Sequence, residues 1–313
     1  MTPMLDRRKG LGGTDISAIC GLDPRRSAFD VYCSKVGLLD DVVRETNDRM
    51  WAGKKLERAI AEMYSEREGR RIHWWDQVSR HDKREWQLAS ADFFVDGNPA
   101  RIGADSKNVS WEFSHLWGED GSEDVPDWIS MQMHWYLAFY DIEQWHIAAL
   151  FGGNDFRVFK LKRDYELEEM LLDAGERFWR DHVLAGVPPE MTATPTAYAY
   201  LKARYPRNSG AMRVPTGEEA VLIEDFLTAR AAHKATEKVY QDAEVKLKAA
   251  IGTDDGFRLH HGRVTYNRIK DSMGTDHAGL AKWAAGDDYE RLAAQFYGVT
   301  REGYRRLDVR IKE

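Results

Sequence analysis

Two strand-like runs, residues 86–95 and 100–107, flank the tetrapeptide Asp96-Gly97-Asn98-Pro99, and this arrangement constrains the chain more than any other feature. Gly, Asn and Pro in succession mark a tight reversal, so the two runs are expected to lie side by side. Strand period two then decides which side chains share a face. Asp105 and Lys107 project from one face, Ser106 from the other, and the first run delivers Asp92 next to them.

The surroundings of this hairpin read as alternating helices and strands. Ser27 caps a helix that stops at Gly37, and an amphipathic helix covers 48–68 and ends at Gly69. Pro126 starts a helix that runs to about Tyr140. Strands at 144–151 and 156–161 follow, joined by Gly152-Gly153-Asn154, and a helix over 165–185 closes the set. The order predicts an α+β fold: a mixed central β-sheet flanked by helices, filling a core of residues 1–186.

Residues 187–215 hold Pro188, Pro189, Pro195, Pro206 and Pro215, a linker composition. From 216 to 313 the pattern predicts a helical and small-β extension. Thr216 and Glu219 form a capping box for a long helix that ends before Gly252. Leu222, Phe226, Tyr240 and Leu247 fall on a heptad seam, read as packing on the same chain. A hairpin turning at His261-Gly262 and an edge strand through Leu307, Val309 and Ile311 complete the extension.

Composition removes several function classes. Cys20 and Cys33 are the two cysteines of 313 residues, too few for a four-cysteine cluster and without CxxC spacing. Asp6, Arg7, Arg8 and Lys9 stand where an apolar leader would begin, and no apolar run reaches membrane-spanning length, so a cytoplasmic protein with no membrane partner is expected. Gly53-Lys54-Lys55 lacks the glycine spacing and the Ser/Thr of a phosphate loop. The net charge of −7 does not exclude a nucleic acid, because binding depends on local fields. Arg7-Arg8-Lys9 and Arg25-Arg26 are local cationic clusters.

Two carboxylates on adjacent strands with a lysine two residues after the second is the pattern of metal-dependent phosphodiesterases. Asp92 and Asp105 are hard oxygen donors suited to Mg²⁺, and the Ser106 carbonyl can face the same ion. Lys107 stands where it can orient an attacking water. Two more polar residues qualify as partners. Glu57 lies on the 48–68 helix, where it also reads as an ordinary surface pair with Lys54. Gln132 lies on a strongly apolar helix and needs a partner if buried.

Four blocks together resemble a known family. They are Arg7 through Asp15 with Gly21-Leu22-Asp23-Pro24 and Lys35-Val36-Gly37; Gly53 to Glu57; Ser90 to Asp92 with Asp105 to Lys107; and Trp117-Gly118 through Gln132 to Gly152-Gly153-Asn154-Asp155-Phe156. In this order they are similar to the YqaJ-like viral recombinases, relatives of phage lambda exonuclease in the PD-(D/E)xK nuclease superfamily. The resemblance implies a PD-(D/E)xK nuclease-like core and a Mg²⁺-dependent deoxyribonuclease, with Mn²⁺ able to substitute. It implies digestion of one strand of linear duplex DNA, 5′ to 3′, in phage-type recombination. A structure- or site-specific endonuclease and a catalytically weak DNA-end-binding module are the alternatives.

By the same resemblance Asp92, Asp105, the Ser106 carbonyl and Glu57 hold metal, Lys107 is the catalytic lysine and Gln132 positions the water or the lysine. Arg7, Thr14 and Ser90 hold the 5′-phosphate. Double-stranded DNA ends, a single-strand annealing protein and a ring trimer are the implied partners. Departures from the family pattern are Asp105 in place of glutamate, Ala91 in place of proline, and Asn108-Val109 after the lysine.

Overall fold

A computed structural model describes residues 6–38, 48–75, 77–96, 101–260, 262–266 and 282–291 of the chain. The reversal at Gly97-Asn98-Pro99, the hairpin tip at His261 and the strand of Leu307, Val309 and Ile311 lie outside the described residues. The chain divides into two compact units, Met1–Pro206 and Arg207–Glu313.

The first unit begins with a 3₁₀ turn, Arg7–Lys9, and two helices, α1 (Gly13–Ile19) and α2 (Ala28–Val36). Ser27 caps α2 by accepting from the Asp30 N–H, and Gly37 closes it in the left-handed conformation at φ 65°. Helix α3 (Asp48–Glu68) ends at Gly69, φ 63°, where a side chain would be strained. Then come β1 (Ile72–Trp74), β2 (Ser79–Arg80), β3 (Leu88–Ala89), β4 (Phe93–Val95), β5 (Ile102–Val109), α4 (Asp127–Tyr140), β6 (Gln144–Phe151), β7 (Asp155–Lys162) and α5 (Tyr165–Phe178).

The central sheet has the order β1-β4-β5-β6-β7. Only β5 and β6 run parallel, with α4 as their connection; the other neighbours are antiparallel. The sheet is therefore mixed, with helices on both faces, as the order of elements predicted.

Alternation along β6 sorts the core into two layers. Trp145, Ile147, Ala149 and Phe151 point to one side, where Leu11, Ile16, Met133, Trp135, Leu171 and Phe178 pack. Ala148 and Leu150 point to the other, against Ile60, Ala61 and Tyr64 of α3, together with Ala104 and Phe93. A strand buried on both faces reads as a nearly continuous apolar run, as Trp145 to Phe151 does.

Three details differ from the sequence expectation. Residues 86–95 are not one strand. Leu88 and Ala89 pair with β2, and Leu11 bridges Gln87, while Phe93–Val95 join the central sheet. Ser90-Ala91-Asp92 is the break between these two sets of partners. The helix over 165–185 is α-helical to Phe178 and closes with a π turn, Trp179–Leu184. Inside the proline-rich stretch, α6 (Pro195–Arg204) is a helix, because Thr194 caps it and Pro195 occupies the first turn, where no N–H is required. It docks on α2 through the Tyr200 ring against Phe29 at 5.2 Å and Thr194 Oγ1 donating to Asp30 at 2.8 Å.

The second unit contains α7 (Gly217–Ile251) with the expected Thr216–Glu219 capping box, and the hairpin β8 (Gly256–Leu259) and β9 (Gly262–Thr265). On α7 Ile251 is buried, whereas the seam residues Leu222, Phe226, Tyr240 and Leu247 are exposed.

Candidate active site

Strand pairing builds the site. Phe93 is registered against Ala104 in the antiparallel pair β4–β5, so one step further Asp92 stands opposite Asp105. The Asp92 backbone is held on both sides: its N–H donates to Ala104 O at 3.3 Å, and its carbonyl accepts from Trp75 N–H at 2.9 Å. Its side chain accepts the Ser106 N–H at 2.8 Å.

Lys107 and Asp105 share a face, as period two requires, and Lys107 Nζ donates to Asp105 Oδ2 at 2.7 Å. Ser106 points to the opposite face and its hydroxyl donates to the Glu57 carbonyl on α3 at 2.8 Å. The two carboxylates and the lysine therefore lie toward α1 and α4, and the strand between them is pinned to α3 from behind.

The electrostatics are those of a crowded anionic pocket. Asp105 is 2% exposed and its Oδ1 is buried with no hydrogen-bond partner. Burial, followed by the Asp105 charge, pushes the Asp92 carboxyl up to about 7. Burial pulls the Lys107 ammonium down, but the charges of Asp105 and Asp92 and the bond to Asp105 outweigh it, and the group is held above its usual value. Asp105 is buried and Asp92 half-buried, and Lys107 is bonded to Asp105 beside them.

Gln132 is buried on α4, and its Nε2 donates to the Tyr136 hydroxyl at 3.1 Å. Tyr136 was not anticipated from the sequence, although its place one turn after Gln132 puts both on one helix face. Its hydroxyl is pushed well above the ordinary range by burial and by Asp105, with Asp92 adding to the rise; the Gln132 bond and the Arg7 charge act the other way. One hydroxyl thus lies within electrostatic reach of Asp92, Asp105 and Arg7.

Glu57 pairs with Lys54 at 2.8 Å. Its charge is felt at both Asp92 and Lys107, as the weakest of the influences on each. Among the described residues, no three His, Cys, Asp or Glu side chains come together in a way that would hold a metal ion. The donor set that would suit one is narrower: the facing carboxylates of Asp92 and Asp105, with Asp105 Oδ1 buried and without a hydrogen-bond partner.

The residues expected at the DNA end are placed as follows. Arg7 is exposed on its 3₁₀ turn, and Thr14 is exposed in the first turn of α1. The α1 N-cap is Gly12, not Thr14, and the Gly12 N–H donates to Asp15 at 3.0 Å. The same turn lies hard against α4: a Cβ built on Gly13 would stand 2.8 Å from Gln132 Cγ and from Tyr136 Cε1. Ser90 is half-buried in the break between β3 and β4, two residues before Asp92.

Comparison with known proteins finds the following likenesses. Residues 4–143 match the family described as YqaJ-like viral recombinase domain. The chain is 31% identical over 204 residues to the uncharacterized protein YqaJ of Bacillus subtilis (strain 168), over 64% of this chain and 62% of that protein. The chain thus spans about 62% of the length of that curated relative. Among solved structures it is similar to an alkaline exonuclease (LHK-Exo) from Laribacter hongkongensis, at 15% identity and a TM-score of 0.45, over 63% of this chain and 94% of that one. It is also similar to a phage related exonuclease from Haemophilus somnus 129PT, at 14% identity and a TM-score of 0.40, over 56% and 96%. The segment that matches the YqaJ-like viral recombinase domain, residues 4–143, carries Arg7, Thr14, Glu57, Ser90, Asp92, Asp105, Lys107, Gln132 and Tyr136.

Proposed function

We propose that this protein is a metal-dependent DNA exonuclease that digests one strand of linear duplex DNA from its 5′ end, in recombination of the phage type. The observation that carries the reading is the facing pair Asp92 and Asp105 with Lys107 bonded to the second, in a segment that matches the YqaJ-like viral recombinase domain.

The proposed roles are as follows. Asp92, Asp105 and the Ser106 carbonyl would hold Mg²⁺ or Mn²⁺, and Glu57 would join through water once it leaves Lys54. The ion, when bound, neutralises phosphate charge and makes a bound water more acidic. Lys107, aimed by Asp105, orients the attacking water. Gln132, fixed by Tyr136, lines the same space. Ser106 N–H keeps the Asp92 carboxylate turned toward Asp105. Arg7, Thr14 and Ser90 bind the terminal phosphate of the strand being cut. We place the nuclease core in residues 1–186 and assign the protein to the cytoplasm; a single-strand annealing protein and a second and third copy of the chain are the proposed partners.

The test is digestion of linear 5′-phosphorylated, linear 5′-hydroxyl and covalently closed circular duplexes, each with and without Mg²⁺. Metal-dependent loss of the linear substrates with the circle intact is expected. Cutting of the circle would move the assignment to an endonuclease, and no cutting of any substrate would reduce it to end binding.

A further inference from the structure

Asp15 follows Thr14 on α1, is buried, and has no part in the chemistry proposed above. Its carboxylate gathers three donors: the Gly12 N–H at 3.0 Å, Lys35 Nζ at 2.7 Å and an Arg26 guanidinium nitrogen at 3.1 Å. The Lys35 side chain is only 5% exposed, and its ammonium also donates to the main-chain carbonyl of Arg7 at 2.9 Å. Desolvating such groups usually offsets what their attraction contributes, so stability alone is a weak reason for the arrangement.

Geometry supplies a better one. Arg7 to Lys9 is an exposed three-residue turn, and a turn of that length does not fix the direction of a long side chain by itself. Lys35 reaches across 28 positions of sequence to tie its backbone to α2. The α2 helix is in turn anchored by its own cap and by α6. The same carboxylate that holds Lys35 also holds Gly12, and the next residue, Gly13, is packed against Gln132 and Tyr136. One buried carboxylate therefore links the backbone of Arg7 to the helix that borders the two metal-binding aspartates.

We propose that Lys35 and Asp15 are positioning residues for recognition of the DNA end, aiming Arg7 so that a terminal 5′-phosphate is held at a set distance from Asp92 and Asp105. The proposal rests on the reading of Arg7 as a phosphate ligand. An ammonium suits the task because one group donates to a carboxylate and a carbonyl together; a methionine of similar volume donates to neither.

The experiment measures kcat/KM on 5′-phosphorylated and 5′-hydroxyl duplexes for the parent, Arg7→Ala, Lys35→Met and Lys35→Arg. The ratio of the two values within one preparation is independent of the fraction folded, so a purely structural loss does not move it. A phosphate held by a charge-assisted contact is expected to give a parent ratio of about tenfold or more. Arg7→Ala should bring it close to one. Lys35→Met should do nearly the same, through KM for the phosphorylated end, while Lys35→Arg, which keeps the donors, should recover much of the parent ratio. If Lys35→Met does not fold, the isosteric Asp15→Asn carries the same expectation. A parent with no end preference overturns the phosphate-ligand reading itself. A preference that Arg7→Ala erases but Lys35→Met and Asp15→Asn retain in full overturns the positioning role alone.

Discussion

The Ser106 N–H donates to Asp92 Oδ2 at 2.8 Å, and this bond turns a carboxylate at the end of one strand toward the carboxylate on the next. Two carboxyl groups are thereby held face to face, with Lys107 as the cation bonded to Asp105. Such an arrangement is costly unless a second cation completes it.

Replacing either acid should therefore act on metal before anything else. Asp92→Asn and Asp105→Asn each remove a charged oxygen ligand and should weaken Mg²⁺ binding by roughly tenfold or more, with a matching loss of rate. Isothermal titration calorimetry of the two variants checks this; unchanged affinity in both would remove these residues from the metal site. Ca²⁺ should support DNA binding without turnover, since its looser coordination holds the reacting groups less strictly.

Lys107→Ala should lower kcat by on the order of 10²-fold or more, with DNA affinity close to that of the parent. Asp105 would lose its hydrogen-bonded cation, so the variant is best assayed at saturating Mg²⁺. Activity within a few-fold of the parent would take Lys107 out of the mechanism.

Gly13→Ala tests the contact between α1 and α4. The added methyl would lie 2.8 Å from Gln132 Cγ and 3.1 Å from the Gln132 carbonyl, which is backbone and cannot swing aside. Overpacking of this kind costs about 1–3 kcal/mol. A lowered Tm and a fall in kcat larger than the rise in KM are expected. A variant with the parent's Tm would show that the two helices are not in such close contact.

His146 provides a pH signature of the fold. Its ring is buried on β6, with Nδ1 2.7 Å from the Tyr64 hydroxyl. Burial, followed by the Lys160 charge, holds the imidazole down at about 4, against 6.5 for an ordinary histidine. As pH falls the unfolded chain takes up this proton first, so the group's contribution is complete above about pH 6.5 and is lost as pH falls toward about 4. The loss is on the order of 1–3 kcal/mol. His146→Asn keeps an acceptor near Nδ1 but does not titrate. It should show a smaller drop in Tm between pH 7 and pH 5 than the parent does; an equal drop would show that other groups set the acid limit.

Helix limits were legible because their causes are local. Ser27 with Asp30, Gly37, Gly69 and the Thr216–Glu219 box each act within a few residues of the end they define. Residues 86–95 misled for the opposite reason. Their pattern suits a strand, but Leu11 and β2 compete with β5 for the pairing, and Ser90 to Asp92 is where the competition is settled. The helix at Pro195–Arg204 was hidden by counting prolines as linker residues, when Thr194 before Pro195 is a helix start.

The chemistry divides along the same line. A period of two is enough to put Asp105 and Lys107 on one face, and the order of motifs is enough to indicate the family, because both are properties of the chain read locally. That Asp92 faces Asp105 with Ser106 N–H between them depends on the register of two strands. That Glu57 pairs with Lys54 and Gln132 with Tyr136 follows from turn spacing along one helix, whereas that Lys35 joins Asp15 to Arg7 depends on how separate helices pack. Contacts of this last kind are between groups whose partners are chosen by burial: a polar atom withdrawn from water takes whichever donor or acceptor the packing brings within reach, and no spacing along the chain encodes which one that will be.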